Sequence, residues 1–173
     1  MALTVWTIGH STRSIEEFVA IVEQYDIELV ADVRRFPGSR RLPQFMSATL
    51  ADSLAGHGVG YVWIPALGGR RRPNSDSPNV GWRHPAFRAY ADHVATDEFA
   101  DGLFELLMFA EGLRTAIMCS EVLWWRCHRR LIADVLTSLG ADVVHIRDAR
   151  HSELHRLSPA EMLPFTRARR RAR

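Results

Sequence analysis

The 173-residue chain contains no lysine: all 22 basic residues are arginine. That excludes a side-chain Schiff base, a pyridoxal-phosphate lysine and a Walker-type phosphate lysine. Cysteine is nearly absent as well. Two thiols, Cys119 and Cys127, are too few for a disulfide framework, and with no export signal they are expected to be reduced. No stretch approaches the roughly 18 uncharged apolar residues of a membrane span, and Met1 opens no signal pattern. The expectation is a cytoplasmic protein without a membrane partner.

What is present is ordinary in bulk and uneven in placement. Hydrophobic residues make up 47% and charged residues 24%, globular proportions at a length that suits one domain. The formal charge of +2 is set by the end of the chain, where Arg167 to Arg173 include five arginines and no acid. Taking those five charges off the formal +2 leaves −3, so the body is mildly acidic. Such a tail is either a nucleic-acid arm or a disordered end. We divide the chain into an α/β domain over 1–150 and a polar C-terminal extension with a basic tail over 151–173.

Five β-branched, apolar runs predict strands: Leu3–Ile8, Glu28–Val33, Gly60–Ile64, Thr115–Met118 and Asp142–Ile146. Helical patterns lie between them. Ser14–Tyr25 carries a cap at Ser14 and Glu17 three residues on. Ser47–His57 ends at Gly58, Pro85–Thr96 and Asp97–Glu111 form a pair, and His128–Leu139 ends at Gly140. Pro159–Leu163 is a short helix candidate. The alternation predicts a single α/β domain with a mostly parallel sheet of about five strands and helices on both faces. The Ala66–Trp82 loop, rich in glycine and arginine, is long enough to be functional or disordered.

In open parallel sheets ligands bind beyond the carboxyl ends of the strands. Those ends carry Gly9-His10-Ser11; Asp32 with Arg34, Arg35 and the Phe36-Pro37-Gly38-Ser39 turn; Gly68-Gly69 with Arg70, Arg71 and Arg72; and Cys119-Ser120-Glu121 followed by Trp124, Trp125 and Cys127-His128-Arg129.

Taken in order, Thr7-Ile8-Gly9-His10-Ser11, Asp32-Val33-Arg34 with Pro37 and Ser39, Leu67-Gly68-Gly69, Met118-Cys119-Ser120-Glu121 and Cys127-His128-Arg129 resemble the DUF488 family of uncharacterised proteins. The resemblance spans about residues 4 to 147 and implies a small α/β domain but no agreed activity. That family often has an Asp-Pro pair between the glutamate and the second cysteine. Leu123, Trp124 and Trp125 stand there in this chain.

Roles must therefore come from the residues. Cys127 precedes a helix and is flanked by arginines, which lowers a thiol pKa and makes a nucleophile; the alternative is a small packed residue. Cys119 ends an apolar strand and is expected to be a buried, inert thiol. Glu121 and Asp32 are acid–base candidates, Asp32 equally a partner for Arg34, and His10 joins the catalytic candidates. Arg34, Ser39, Gly68, Gly69, Arg70, His128 and Arg129 are candidate ligand-binding residues, with Trp124 as a stacking surface. Trp82, Trp125 and Phe36 could stack on a base or fill gaps. Trp6 and Trp63 are expected in the core, and His145 as a satisfied core histidine. C-x7-C-H fits no standard zinc pattern, so no metal is expected. The cofactor is unknown.

Three readings follow. The first is a small α/β enzyme, a hydrolase or transferase, acting on a phosphate-bearing ligand such as a nucleotide or nucleic acid. The second is a non-catalytic nucleic-acid-binding module using the arginine loop and tail. The third is a thiol redox protein, ranked last because seven residues separate Cys119 from Cys127. A homodimer is compatible with each.

Overall fold

The computed structural model describes residues 2–163; the basic tail lies outside the described residues. One six-stranded sheet carries β1 (Thr4–Gly9), β2 (Leu29–Asp32), β3 (Gly60–Trp63), β4 (Thr115–Cys119), β5 (Asp142–Ile146) and β6 (Ser152–Leu154) in the order β3-β2-β4-β1-β5-β6. All pairings are parallel except β5 with β6. The protein is thus a mostly parallel α/β fold, as the alternating pattern predicts. The predicted five strands are present. The sixth, β6, has no apolar signal: its Ser-Glu-Leu is exposed throughout. Two polar residues and a length of three residues close the sheet edge without offering a long template for another strand.

The central strands read as apolar runs because both faces are covered. On β1 the side chains alternate: Val5 enters one core cluster, Trp6 and Ile8 the other. Helices α1 (Ile15–Gln24) and α2 (Ser47–Ala55) cover the Trp6 face through Phe18, Val22, Leu50 and Leu54. Helices α3 (Pro85–Val94), α4 (Asp97–Ala110) and α5 (Arg129–Ser138) cover the Val5 face through Tyr90, Phe99, Leu106 and Ile132. The capping box at α1 is present, Ser14 and Glu17 each bonding the other's backbone N–H. Phe18 meets Phe45 edge-on at 5.4 Å, an arrangement worth about 1 kcal/mol beyond the area buried. The stretch 159–163 forms a single 3-10 turn, Ala160–Met162, too short for a helix.

One expectation changes. Trp6 is core, but Trp63 lies at the end of the edge strand β3 and is 44% exposed, its indole N–H donating to the Arg34 carbonyl. An edge strand presents one flank to solvent, and its burial alternation is correspondingly weak.

The topology also fixes where a ligand can enter. From β1 the chain runs through α1 to β2 on one side. From β4 it runs through α5 to β5 on the other. β1 and β4 are neighbours whose connections leave in opposite directions and over opposite faces. This is the switch point of the sheet, where the loops diverge and open a crevice.

Candidate functional site

The crevice at the carboxyl ends of β1 and β4 holds a cavity of about 340 Å³, with His10, Arg34, Ser39, Cys119, Glu121 and Cys127 among its walls. A second cavity of about 440 Å³ has aromatic walls from Phe87, Tyr90 and Trp125. The two share Gly69, Arg70, Glu121, Cys127 and His128, so Cys127 stands at their junction.

Cys119 is the last residue of β4, and Cys127 follows the Trp124–Arg126 turn just before α5. The loop between them folds back over Gly9. A Cβ at Gly9 would run into the backbone of Glu121 and Val122, so only glycine admits this close approach. The fold-back brings the two sulfurs to 3.3 Å. The Cys127 sulfur also accepts from the Arg129 backbone N–H at 3.4 Å and from its Nε–H at 3.2 Å.

Arg129 decides the charge state. It is fully buried, at 0% exposure. Its remaining donors reach Thr7 Oγ1 and the carbonyls of Glu121 and Val122. Among the described residues no carboxylate pairs with it. A buried guanidinium stays charged and needs an anion, and the sulfur of Cys127 is the group in place to be one. Burial pushes the Cys127 thiol up. The bond from Cys119 and the Arg129 charge outweigh it and hold the thiol well below its ordinary value. Burial and the adjacent Cys127 push Cys119 the other way. Of the two sulfurs Cys127 is therefore the one that gives up its proton first, with Cys119 as the donor between them. The expected inert thiol is buried, at 3% exposure, but it is paired.

His10 and Arg34 form the opposite wall. Asp32 accepts four donors: the Arg34 backbone N–H, Nε–H and Nη2–H, and the Tyr61 hydroxyl at 2.6 Å. Both of its oxygens are thus engaged, and the Arg34 charge is neutralised by the 2.7 Å ion pair. Burial and the Asp32 bond push the Tyr61 phenol up. His10 stacks on Phe45 at 4.1 Å. Its Nδ1–H donates to the Ser11 carbonyl and its Nε2 accepts from Arg34. Burial, opposed by the Ser11 bond, lowers its pKa to about 4, so the ring is neutral at pH 7.

Arg35 and Arg70 supply the unpaired charge. Both line the first cavity, and neither pairs with a carboxylate among the described residues. Arg35 Nη1 donates to the Arg70 carbonyl, fixing the two together. Arg70 has φ of +55°, a conformation rare outside glycine. Arg71, by contrast, is spent on Glu98 and on carbonyls of its own loop.

The other sequence candidates take these places. His128 lines both cavities and donates Nε2–H to the Val33 carbonyl. A Cβ on Gly69 would lie 2.9 Å from its Nδ1, so Gly69 makes room for that ring. Gly68 lets the loop pass against Arg35 and lines neither cavity. Ser39 lines the first cavity and caps the Leu42 N–H. Glu121 lines both cavities and accepts the Leu123 N–H. Arg129 sits behind Cys127 and lines neither. Trp124 lines neither: its ring stacks on His145 at 4.1 Å and its N–H donates to Glu153. Phe36 lines the first cavity and Trp125 the second, while Trp82 is buried with its N–H on the Met162 carbonyl.

Sequence reading missed three things. Nothing in the spacing shows that Cys119 and Cys127 meet, because the intervening loop is irregular. Tyr61 looked like a strand residue and no more. His145 is the core histidine expected, but it belongs to a line of polar groups, Thr7, His145, His155 and Asp134, that reaches Arg129. Among the described residues no cluster of three or more His, Cys, Asp or Glu is arranged to hold a metal ion.

The family described as Domain of unknown function DUF488 matches residues 14–136. The chain belongs to the DUF488 family. No curated protein and no solved structure matches it. The matched DUF488 segment covers β2 to β4 and most of α5, and so includes Asp32, Arg34, Cys119 and Cys127. His10 precedes the match. Among the described residues no helix is long and apolar enough to cross a membrane.

Proposed function

We propose that this protein is a small α/β enzyme in which Cys127 is the nucleophile and the ligand carries a phosphate, as a nucleotide does. The observation that carries this reading is the buried Arg129, which donates its Nε–H to the sulfur of Cys127 and has no carboxylate partner among the described residues. A thiolate held ready, at the junction of two cavities and at the start of a helix, is the arrangement of an attacking group. Arg35 and Arg70, without carboxylate partners among the described residues, hold the phosphate from the first cavity. The aromatic walls of the second cavity take the base or another flat group. Glu121, which borders both, handles the proton. Neutral His10 donates to a backbone carbonyl and accepts from Arg34, so it shapes the wall and carries no charge at pH 7.

The test is the rate of iodoacetamide labelling of each cysteine against pH, read on peptides by mass spectrometry, with and without inorganic phosphate or a nucleoside monophosphate. Cys127 labels with an apparent pKa well below the free-thiol value of about 8.5, and the phosphate compounds slow it. Slow labelling of both thiols, confined to high pH, means the cysteines are structural and refutes the nucleophile. Fast labelling that no phosphate compound slows refutes the ligand class alone.

A further inference from the structure

We propose that Cys119 and Cys127 form a working dithiol, with Cys127 attacking a small anionic disulfide and Cys119 resolving the adduct. The inference rests on the Cys127 nucleophile above and adds a second activity at the same site.

Position separates the two roles. Cys127 borders both cavities and is half-buried, so a ligand can reach its sulfur. Cys119 is buried at the end of β4 and touches only the first cavity. Its sulfur lies 3.3 Å from that of Cys127. An adduct on Cys127 therefore carries its own resolving group from the moment it forms. A disulfide needs the sulfurs at about 2.05 Å, an approach of little more than an ångström from this geometry.

The reaction balances without a cofactor. The Cys127 thiolate attacks one sulfur of R–S–S–R; a Cys127–S–S–R bond forms, the S–S bond of the substrate breaks, and one RS⁻ leaves. The Cys119 sulfur then attacks the Cys127 sulfur. The Cys119–Cys127 bond forms, the Cys127–SR bond breaks, and the second RS⁻ leaves with the Cys119 proton. The substrate is reduced by two electrons and the dithiol is oxidised by two.

Electrostatics favours both the substrate class and turnover. Among the described residues Arg35 and Arg70 border the first cavity without carboxylate partners, so a disulfide bearing carboxylates is attracted. Stabilising a thiolate stabilises the reduced form and raises the potential of the couple, as in strongly oxidising dithiol proteins. Arg129 is in place to do this, so a small dithiol reopens the protein disulfide readily. A structural bridge would resist.

The fully reduced chain is mixed with glutathione disulfide, the released thiol is counted, and the protein is read by intact mass under non-reducing conditions. The wild type releases two thiols per chain and ends lighter by two hydrogens, with Cys119 and Cys127 joined. Cys119→Ser releases one thiol and stops with glutathione on Cys127. Cys127→Ser releases none. Dithiothreitol restores the wild type. A wild type that stops at the mixed disulfide, or that stays reduced while Cys127 still labels fast with iodoacetamide, overturns the dithiol and leaves the nucleophile standing. A wild type that neither forms an adduct nor labels fast overturns both.

Discussion

His145 Nδ1 lies 2.7 Å from Thr7 Oγ1, and this contact is the middle of a polar line crossing the sheet. Its direction is forced from one end. Asp134 Oδ1 accepts from His155 Nε2–H at 2.9 Å and from the Ser158 N–H. His155 Nδ1 must then accept from His145 Nε2–H. His145 Nδ1 accepts the Thr7 hydroxyl, whose oxygen accepts from Arg129 Nη1. Burial lowers the His145 pKa, which keeps that ring neutral. Every proton points away from Arg129, and the guanidinium that faces Cys127 is held by a line ending on a carboxylate.

Breaking the far end should therefore be felt throughout. Asp134→Ala leaves the His155 and Ser158 donors buried without an acceptor, at about 1–3 kcal/mol each. We expect a loss of about 2–4 kcal/mol at pH 7, read from urea unfolding with an unchanged slope. Asp134→Asn keeps one acceptor oxygen and should lose less. Equal midpoints for wild type and Asp134→Ala would show that the line contributes nothing.

Acid lability follows from His10. Its pKa is about 4 in the fold against about 6.5 in an unfolded chain. A histidine depressed on folding stabilises in its neutral form. The contribution is whole above pH 6.5, declines as pH falls, and is gone near pH 4, a change of about 3 kcal/mol. Burial lowers His93, His128 and His145 as well, which adds to the same trend. Between pH 6.5 and 4 the stability of His10→Gln should fall less steeply than that of the wild type, by about 1.4 kcal/mol per pH unit, one proton's worth. Parallel profiles would place the titration elsewhere.

Arg129 links charge to shape. Arg129→Gln removes the positive charge behind the Cys127 sulfur and strips the Glu121 and Val122 carbonyls of a donor. The apparent pKa of Cys127 labelling should rise by about one unit or more, since nearby opposite charge shifts a titration by that amount. Arg129→Lys keeps a charge but cannot fork, so it should recover part of the pKa shift and little of the lost stability. If Arg129→Gln labels like the wild type at every pH, the thiolate owes nothing to the arginine.

The parallel sheet, the two helical layers and α1's cap were legible because they follow from local periodicity: Phe18 and Val22 at helical spacing, Val5 to Ile8 as a buried run. The strand-end rule also located the crevice, since His10, Arg34, Cys119 and Glu121 all border it. Pairing within the site was not legible. Asp32 could equally have been a free carboxylate until Tyr61 and Arg34 were seen on it. Trp124 read as a stacking platform because nothing in the sequence shows that His145 comes beneath it. β6 was missed because a polar edge strand is held by backbone bonds, which leave no pattern in side-chain types. The meeting of Cys119 and Cys127 depends on a loop returning over Gly9, a long-range relation that spacing does not encode.

Gly9 makes that relation testable. A Cβ there would meet the backbone of Glu121 and Val122, which cannot rotate away as a flexible side chain could. Gly9→Ala must therefore push the 119–122 turn off β1. Overpacking of this kind costs about 1–3 kcal/mol. It should also part the two sulfurs, because Cys119 and the turn move as one chain. The expected result is a lower urea midpoint together with slower Cys127 labelling at pH 7. Gly112→Ala is the control, since a Cβ there meets nothing within 4 Å; it should leave both readouts near those of the wild type. A Gly9→Ala protein with an unchanged urea midpoint or unchanged labelling would mean the turn accommodates a methyl group. The pairing of Cys119 with Cys127 would then rest on the thiolate and Arg129 alone, not on the backbone that delivers them.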